Sequence, residues 1–177
     1  LLGFEPGENL YLDGNDWNAS YVPLHVRRQP FMVGFSLDEN GQRIPDSAVI
    51  SIDVDNPRVQ DEKGEALFKE DGSSTEYLDG VSNLLFGLMN GIESTKVFVE
   101  TLVEHDLVEA AQINITFADG EQKTYDGIYT VHDEKLSELE GEVLQSFHEK
   151  GFLQASYLLL ASMGHIQKLI QLKNARL

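Results

Sequence analysis

Apolar residues in the middle of the chain recur at helical spacing. One stripe with alternating steps of three and four residues predicts a single long helix. The stripe consists of Leu78, Val81, Leu85, Leu88, Ile92, Thr95, Val99 and Leu102. Ser73 and Glu76 have the spacing of a capping box, which predicts the start of this helix. We expect Leu78, Leu85, Leu88 and Ile92 to face a sheet and the final helix.

Strand patterns lie on both sides of the long helix. Residues 9–13 form a short apolar strand candidate, and residues 31–37 and 49–54 are predicted to pair antiparallel. Alternating apolar residues at 113, 115 and 117 are followed by Asp119-Gly120, which predicts a type I′ turn. Residues 123–131 return from that turn, so we expect a hairpin there.

The last third of the chain is predicted to be helical. Residues 134–139 and 142–150 form two short helices, and Gly151 ends the second. Residues 152–172 form a final helix that is apolar on nearly every side as far as Met163, which predicts burial. Helices and strands do not alternate regularly, so the fold class is α+β, with an antiparallel sheet packed against a long helix and a buried C-terminal helix. We expect a single domain over residues 1–177.

Charge narrows the possible partners. The 177 residues carry a formal net charge of −17, and the segment 46–79 alone has ten acidic and three basic residues. Such a field repels phosphate, which argues against nucleic acid and anionic membrane surfaces as partners. The chain has no cysteine and no apolar run long enough for a membrane span. We therefore expect a soluble protein whose partner is a protein or a small molecule.

Two groups of residues resemble metal sites without completing one. Asp53, Asp55 and Asn56 could hold a hard cation, but the calcium-loop pattern fails at Pro57. His132 and Glu134 have the spacing of two ligands of a facial triad, which would need a further histidine such as His165. The structural alternative is that Asp53 and Asp55 cap a turn or pair with Arg58, and that Asp133 caps a helix. We predict no catalytic residue, no metal and no cofactor.

Adjacent arginines in an acidic chain form the one candidate ligand site. Arg27 and Arg28 could clamp a carboxylate or phosphate, and nearby aromatic side chains could stack on a ligand. The candidate ligand-binding residues are Trp17, Tyr21, Arg27, Arg28, Asp53, Asp55 and Arg58. The structural alternative is that the arginines pair with acids of the loop 46–79 or with Asp13 and Asp16, and that the aromatic residues belong to the core.

Short motifs along almost the whole chain resemble the bacterial SapC family. They are residues 2–10 (LGFEPGENL), 21–23 (YVP), 27–31 (RRQPF), 52–53 (ID), 56–58 (NPR), 64–68 (GEALF), 126–129 (DGIY) and 157–166, which contains Met163-Gly164-His165. Members of the family carry a further N-terminal segment, so we expect one to be missing here. The resemblance implies a link to surface-layer or envelope protein systems. It supplies no catalytic residues.

Two functions follow as hypotheses. The first is a non-enzymatic accessory or binding protein of a bacterial envelope system, which acts by protein contact. The second is a small-ligand sensor or an enzyme that uses the region of Trp17, Tyr21, Arg27, Arg28 and Asp53. A converging polar pocket would favour the second function, and an exposed apolar patch would favour the first. The sequence favours the cytoplasm, with cell-surface association as the alternative.

Overall fold

Six helices and six strands follow one another along the chain in a computed structural model. The structure describes residues 1–177, with residues 43, 45 and 46 described by their backbone alone. The strands are β1 (Leu12–Asp13), β2 (Asp16–Trp17), β3 (Phe31–Leu37), β4 (Arg43–Ile52), β5 (Val108–Thr116) and β6 (Gln122–Val131). The helices are α1 (Leu24–Arg27), α2 (Glu76–Glu104), α3 (Asp133–Ser137), α4 (Gly141–Glu149), α5 (Phe152–Ser162) and α6 (Ile166–Asn174), and a 3₁₀ turn (Met163–His165) lies between the last two.

The chain divides into two compact units. The terminal unit consists of Leu1–Ala19 and Lys96–Leu177, and the central unit is Ser20–Thr95. Helix α2 contributes its first two thirds to the central unit and its end to the terminal unit. The expectation of a single domain stays a prediction.

All strand pairs are antiparallel two-stranded ribbons. Strands β3 and β4 pair with Phe31 opposite Ile52, and β5 and β6 pair with Val108 opposite Val131. The α+β class and both predicted antiparallel pairings are confirmed. Among the described strands, however, the ribbons do not join into the one sheet that the sequence led us to expect.

The turn between β5 and β6 differs from the predicted type I′ turn. The amide of Phe117 donates to the carbonyl of Glu121, and the amide of Gly120 donates to the carbonyl of Phe117. Gly120 has φ +88°, whereas Asp119 has an ordinary negative φ. The connection is therefore a three-residue loop in which the left-handed glycine follows a type I turn, and the Asp119 carboxylate accepts the amide of Glu121.

Thr75, rather than Ser73, caps the start of α2. Its hydroxyl oxygen accepts the amide of Leu78 at 3.3 Å and donates to the carbonyl of Ala66 at 2.7 Å. The hydroxyl of Ser73 instead donates to the carboxylate of Asp71, and this hydrogen bond lowers the pKa of Asp71. The predicted capping box was wrong by two residues, because the hydroxyl of Ser73 is hydrogen-bonded within a local turn.

The apolar stripe of α2 is buried over only part of its length. Leu85 is 2% exposed in the central unit, and Leu102 is buried in the terminal unit. Ile92 lies on the same stripe but is 54% exposed. The expectation that Ile92 packs against a sheet was wrong. Amphipathic spacing identifies the apolar face of a helix, but it does not show how much of that face other segments pack against.

The core of the terminal unit begins where α2 ends. The left-handed Asp106, with φ +56°, ends the helix in a Schellman motif in which the amide of Leu107 donates to the carbonyl of Leu102. Lys135 contacts both the carboxylate and the carbonyl of Asp106, and its hydrogen bond lowers the pKa of this carboxyl. The motif places Leu102 and Leu107 in one buried cluster with Val131, Leu136 and Phe147.

Helix α5 is buried on one face. Ser156 is fully buried and donates to the carbonyl of Phe152, and the ring of Phe152 packs 5.3 Å from that of Phe98. Farther along, Leu169 of α6 is buried. The predicted C-terminal helix is present, with a 3₁₀ turn in its middle. The burial expected on nearly every side is found on one face of α5 only, because Tyr157, Leu158 and Leu159 on the opposite face are exposed.

Basic residues near the C-terminus hold the N-terminal arm. Arg176 donates to the carbonyls of Asn9, Leu10 and Leu12, and the Nζ of Lys173 lies 2.5 Å from Oε1 of Glu8. The side chain of Leu10, in the same arm, is buried. Within the described chain, no helix is long and apolar enough to cross a membrane.

Leu85 and Ile92 form a matched pair for testing the extent of the core. Leu85→Ala should lower the free energy of unfolding by about 2–5 kcal/mol, because it empties a fully buried position. Ile92→Ala on the same stripe should change it by only about 0.5 kcal/mol. Urea unfolding followed by circular dichroism measures both changes, and equal losses would contradict the described burial.

Glu8 should make stability depend on pH. Burial raises the pKa of Glu8, but the hydrogen bond from Lys173 and that from the amide of Phe4 outweigh it and hold the pKa below the ordinary 4.5. The stabilisation is therefore complete above pH 4.5 and is lost as the pH falls through the folded-state pKa. Glu8→Gln should cost about 1.5–3 kcal/mol at neutral pH, and the difference from the unmodified chain should shrink below pH 4.5.

Glu5→Gln is the control for that measurement. Glu5 pairs with Lys123 through more exposed side chains, where solvent screens the charges, so its loss should cost much less than the loss of Glu8. Urea unfolding at neutral and acidic pH measures both variants. A cost for Glu8→Gln that does not change with pH would show that the pKa of Glu8 is not lowered.

Candidate functional site

Helix α1 positions two polar side chains on one side. Pro23 precedes the helix with φ −55°, and its carbonyl accepts the amides of Val26 and Arg27. Proline suits this place because its φ is already helical and it lacks an amide proton. His25 and Arg28 are three residues apart, so they lie on the same side of the short helical segment.

A cleft of about 430 Å³ opens within the central unit, between α1, β3 and α2. The lining consists of His25 of α1, Arg28 directly after α1, Met32, Val33 and Phe35 of β3, and Leu85, Leu88, Met89, Asn90, Ile92 and Glu93 of α2. Most of these side chains are apolar. The volume lies in the range of small-molecule sites, which are typically about 300–1,000 Å³ and largely apolar with a few polar groups.

Arg28 is the cation of this cleft. Arg28 is half-buried, and its Nη1 donates to the carbonyl of Phe31 at 2.9 Å, which holds the guanidinium group near the start of β3. Among the described side chains, no carboxylate lies within 4.0 Å of Arg27, Arg28 or Arg58. The expected ion pairs were wrong for the described acids, whereas the side chain of Asp46 lies outside the described residues. Arg28 and Arg58 instead donate hydrogen bonds to backbone carbonyls.

The segment from Asp53 to Arg58 attaches to the chain just before β3. The amide of Asp53 donates to the carbonyl of Pro30, and Nη1 of Arg58 donates to the carbonyl of Gln29 at 3.3 Å. The Asp53 carboxylate accepts the amide of Asp55, and the Asn56 side chain accepts the amide of Arg58. These side chains thus cap a turn, and the described residues contain no group of three potential ligands that could hold a metal ion.

The predicted ligand-binding residues are divided between the two units. Trp17 belongs to the terminal unit, where its ring stacks on that of Tyr11 at 6.2 Å. The other six lie in the central unit, where Tyr21, Arg27, Asp53, Asp55 and Arg58 are exposed. Arg28 is the predicted residue that lines the cleft. A binding role for the remaining six stays a prediction.

Sequence reasoning missed the apolar walls of the cleft. Leu85, Leu88 and Ile92 are spaced by three and four residues, and Val33 and Phe35 by two, so each wall has a visible periodicity. The same periodicities also describe an ordinary core. No local pattern shows that α1 leaves a space between these walls.

Comparison with known proteins identifies one family. The sequence model of the SapC family matches residues 1–169. No curated protein and no solved structure gives a significant match to the chain.

Proposed function

The chain belongs to the SapC family, and we propose that it acts as a non-enzymatic accessory protein that binds another protein of a bacterial surface-layer or envelope system. The family resemblance supports the envelope system. The net charge of −17 supports a protein rather than a nucleic acid as partner. We propose the cytoplasm as the place of action, with association at the cell surface as the alternative.

The main support for this proposal is the solvent-facing side of α5. Tyr157, Leu158 and Leu159 are 47%, 64% and 44% exposed, although all three side chains are large and largely apolar. Successive helical residues are about 100° apart, so these three cover more than half of the helix circumference. Contiguous exposed apolar residues of this kind are typical of protein-binding surfaces.

The absence of charge around α5 strengthens this argument. Residues 151–167 contain no Asp, Glu, Lys or Arg, in a chain of which 24% is charged. The exposed face of a solvated helix normally carries charged residues. An uncharged, apolar face is instead suited to a partner that removes it from water, at about 25 cal/mol per Å² of apolar surface buried.

The alternative function, a ligand sensor or an enzyme, has one supporting feature. Arg28 lines a cleft of suitable size, but the other predicted polar groups do not converge on it. Asp53 and Arg58, which an enzyme in this region would use, hold a turn through their own hydrogen bonds. Protein binding therefore has the better support.

Photo-crosslinking in the parent bacterium tests the proposal. A benzoylphenylalanine residue at position 158 should form an adduct with an envelope or surface-layer protein, identified by mass spectrometry. Phe68 is the matched control because it is 62% exposed and lies outside α5. Equal adducts from both positions, or none from position 158, would contradict the proposed surface. Fractionation of the adduct distinguishes the cytoplasm from the cell surface.

A charge substitution gives an independent measurement. Leu158→Lys should abolish co-purification of the crosslinked protein, whereas Phe68→Lys should leave it unchanged. Both positions are exposed, so the free energy of unfolding should change by only about 0.5 kcal/mol in either variant.

A further inference from the structure

We infer that the cleft between α1, β3 and α2 binds a small amphipathic carboxylate, with Arg28 at the carboxylate and the apolar walls around the rest of the ligand. This site lies in the central unit, away from α5 in sequence, and is independent of the proposed protein contact.

Arg28 indicates the charged end of the ligand. Arg28 is half-buried, its Nη1 donates to the Phe31 carbonyl, and no described carboxylate lies within 4.0 Å of its guanidinium group. A guanidinium group has five N–H donors, so one backbone carbonyl leaves most of them available. The chain contains 30 acidic residues, yet none of the described carboxylates forms an ion pair with this cation, and a partly buried cation favours an anion from outside.

The walls indicate the rest of the ligand. Leu85 is buried at the cleft, and Leu88, Val33 and Phe35 are half-buried beside it. Met32 and Met89 add flexible, polarisable side chains, which adapt to ligands of different shape. An alkyl chain or a small ring suits such walls, because seven of the eleven lining side chains are apolar.

Glu93 sets a limit on the ligand. It lines the same cleft but is exposed, so its carboxylate is hydrated and opposes a second negative charge. The site therefore favours a monoanion over a phosphate or a dicarboxylate. Replacing Glu93 should leave the binding of a monocarboxylate equal or tighter.

Titration calorimetry with decanoate and 1-decanol tests the inference on the whole chain. Decanoate, below its micelle concentration, should bind at least tenfold more tightly than the uncharged alcohol of the same length. Arg28→Gln should remove this preference, because it removes the cation and leaves the walls in place. Arg27→Gln is the matched control on the neighbouring residue, and it should retain the preference.

A second pair of variants covers the case in which Arg28→Gln does not fold, since Arg28 also holds the Phe31 carbonyl. Leu88→Trp keeps the guanidinium group but fills the cleft, and it should weaken decanoate binding at least tenfold. Phe86→Trp places the same side chain at an exposed position of α2 and should have no effect. Equal binding of decanoate and decanol, decanoate binding unaffected by Leu88→Trp, or weaker binding in Glu93→Gln would each overturn the inference.

Discussion

The apolar stripe of α2 is the constraint on which both units depend. It is buried at Leu85 in the central unit and at Leu102 in the terminal unit, so one helix supplies a core residue to each. Leu102 also provides the carbonyl that ends the helix in its Schellman motif. A change in the length of α2 would therefore displace a core position and a helix end together. Ile92 lies on the stripe between these two buried positions and is exposed, so the burial of the stripe is interrupted there.

Elements with strong local periodicity could be predicted, whereas their ends and environments could not. The hairpin of β5 and β6 follows from alternation at residues 113–117 and from Asp119-Gly120. Its turn differs because one additional residue in the loop lets Asp119 keep a negative φ. Likewise, the capping box at Ser73 was a plausible pattern, but Thr75 has the geometry of the cap. The local sequence pattern thus predicted which elements form. Their ends depend on which side chains hydrogen-bond the backbone there, and the pattern did not predict this.

The candidate site was predictable only at Arg28, for a related reason. Adjacent arginines in an acidic chain are a visible anomaly, but their partners depend on which carbonyls the fold presents. Other basic residues of the chain contact the N-terminal arm. Lys173 pairs with Glu8, and Arg176 donates to three carbonyls of that arm. The remaining apolar walls come from segments far apart in sequence, so no motif could have joined them to Arg28.

The two proposed surfaces differ in the physics of recognition. Helix α5 offers an exposed and uncharged face, where binding would come from removing Tyr157, Leu158 and Leu159 from water. The cleft at Arg28 offers a partly open and largely apolar volume beside one guanidinium group, whose charge determines the orientation of the ligand. Salt should weaken the second interaction more than the first, because screening acts on charge and hardly on apolar burial. Protein contact and ligand binding at these sites can therefore be separated by their different responses to ionic strength.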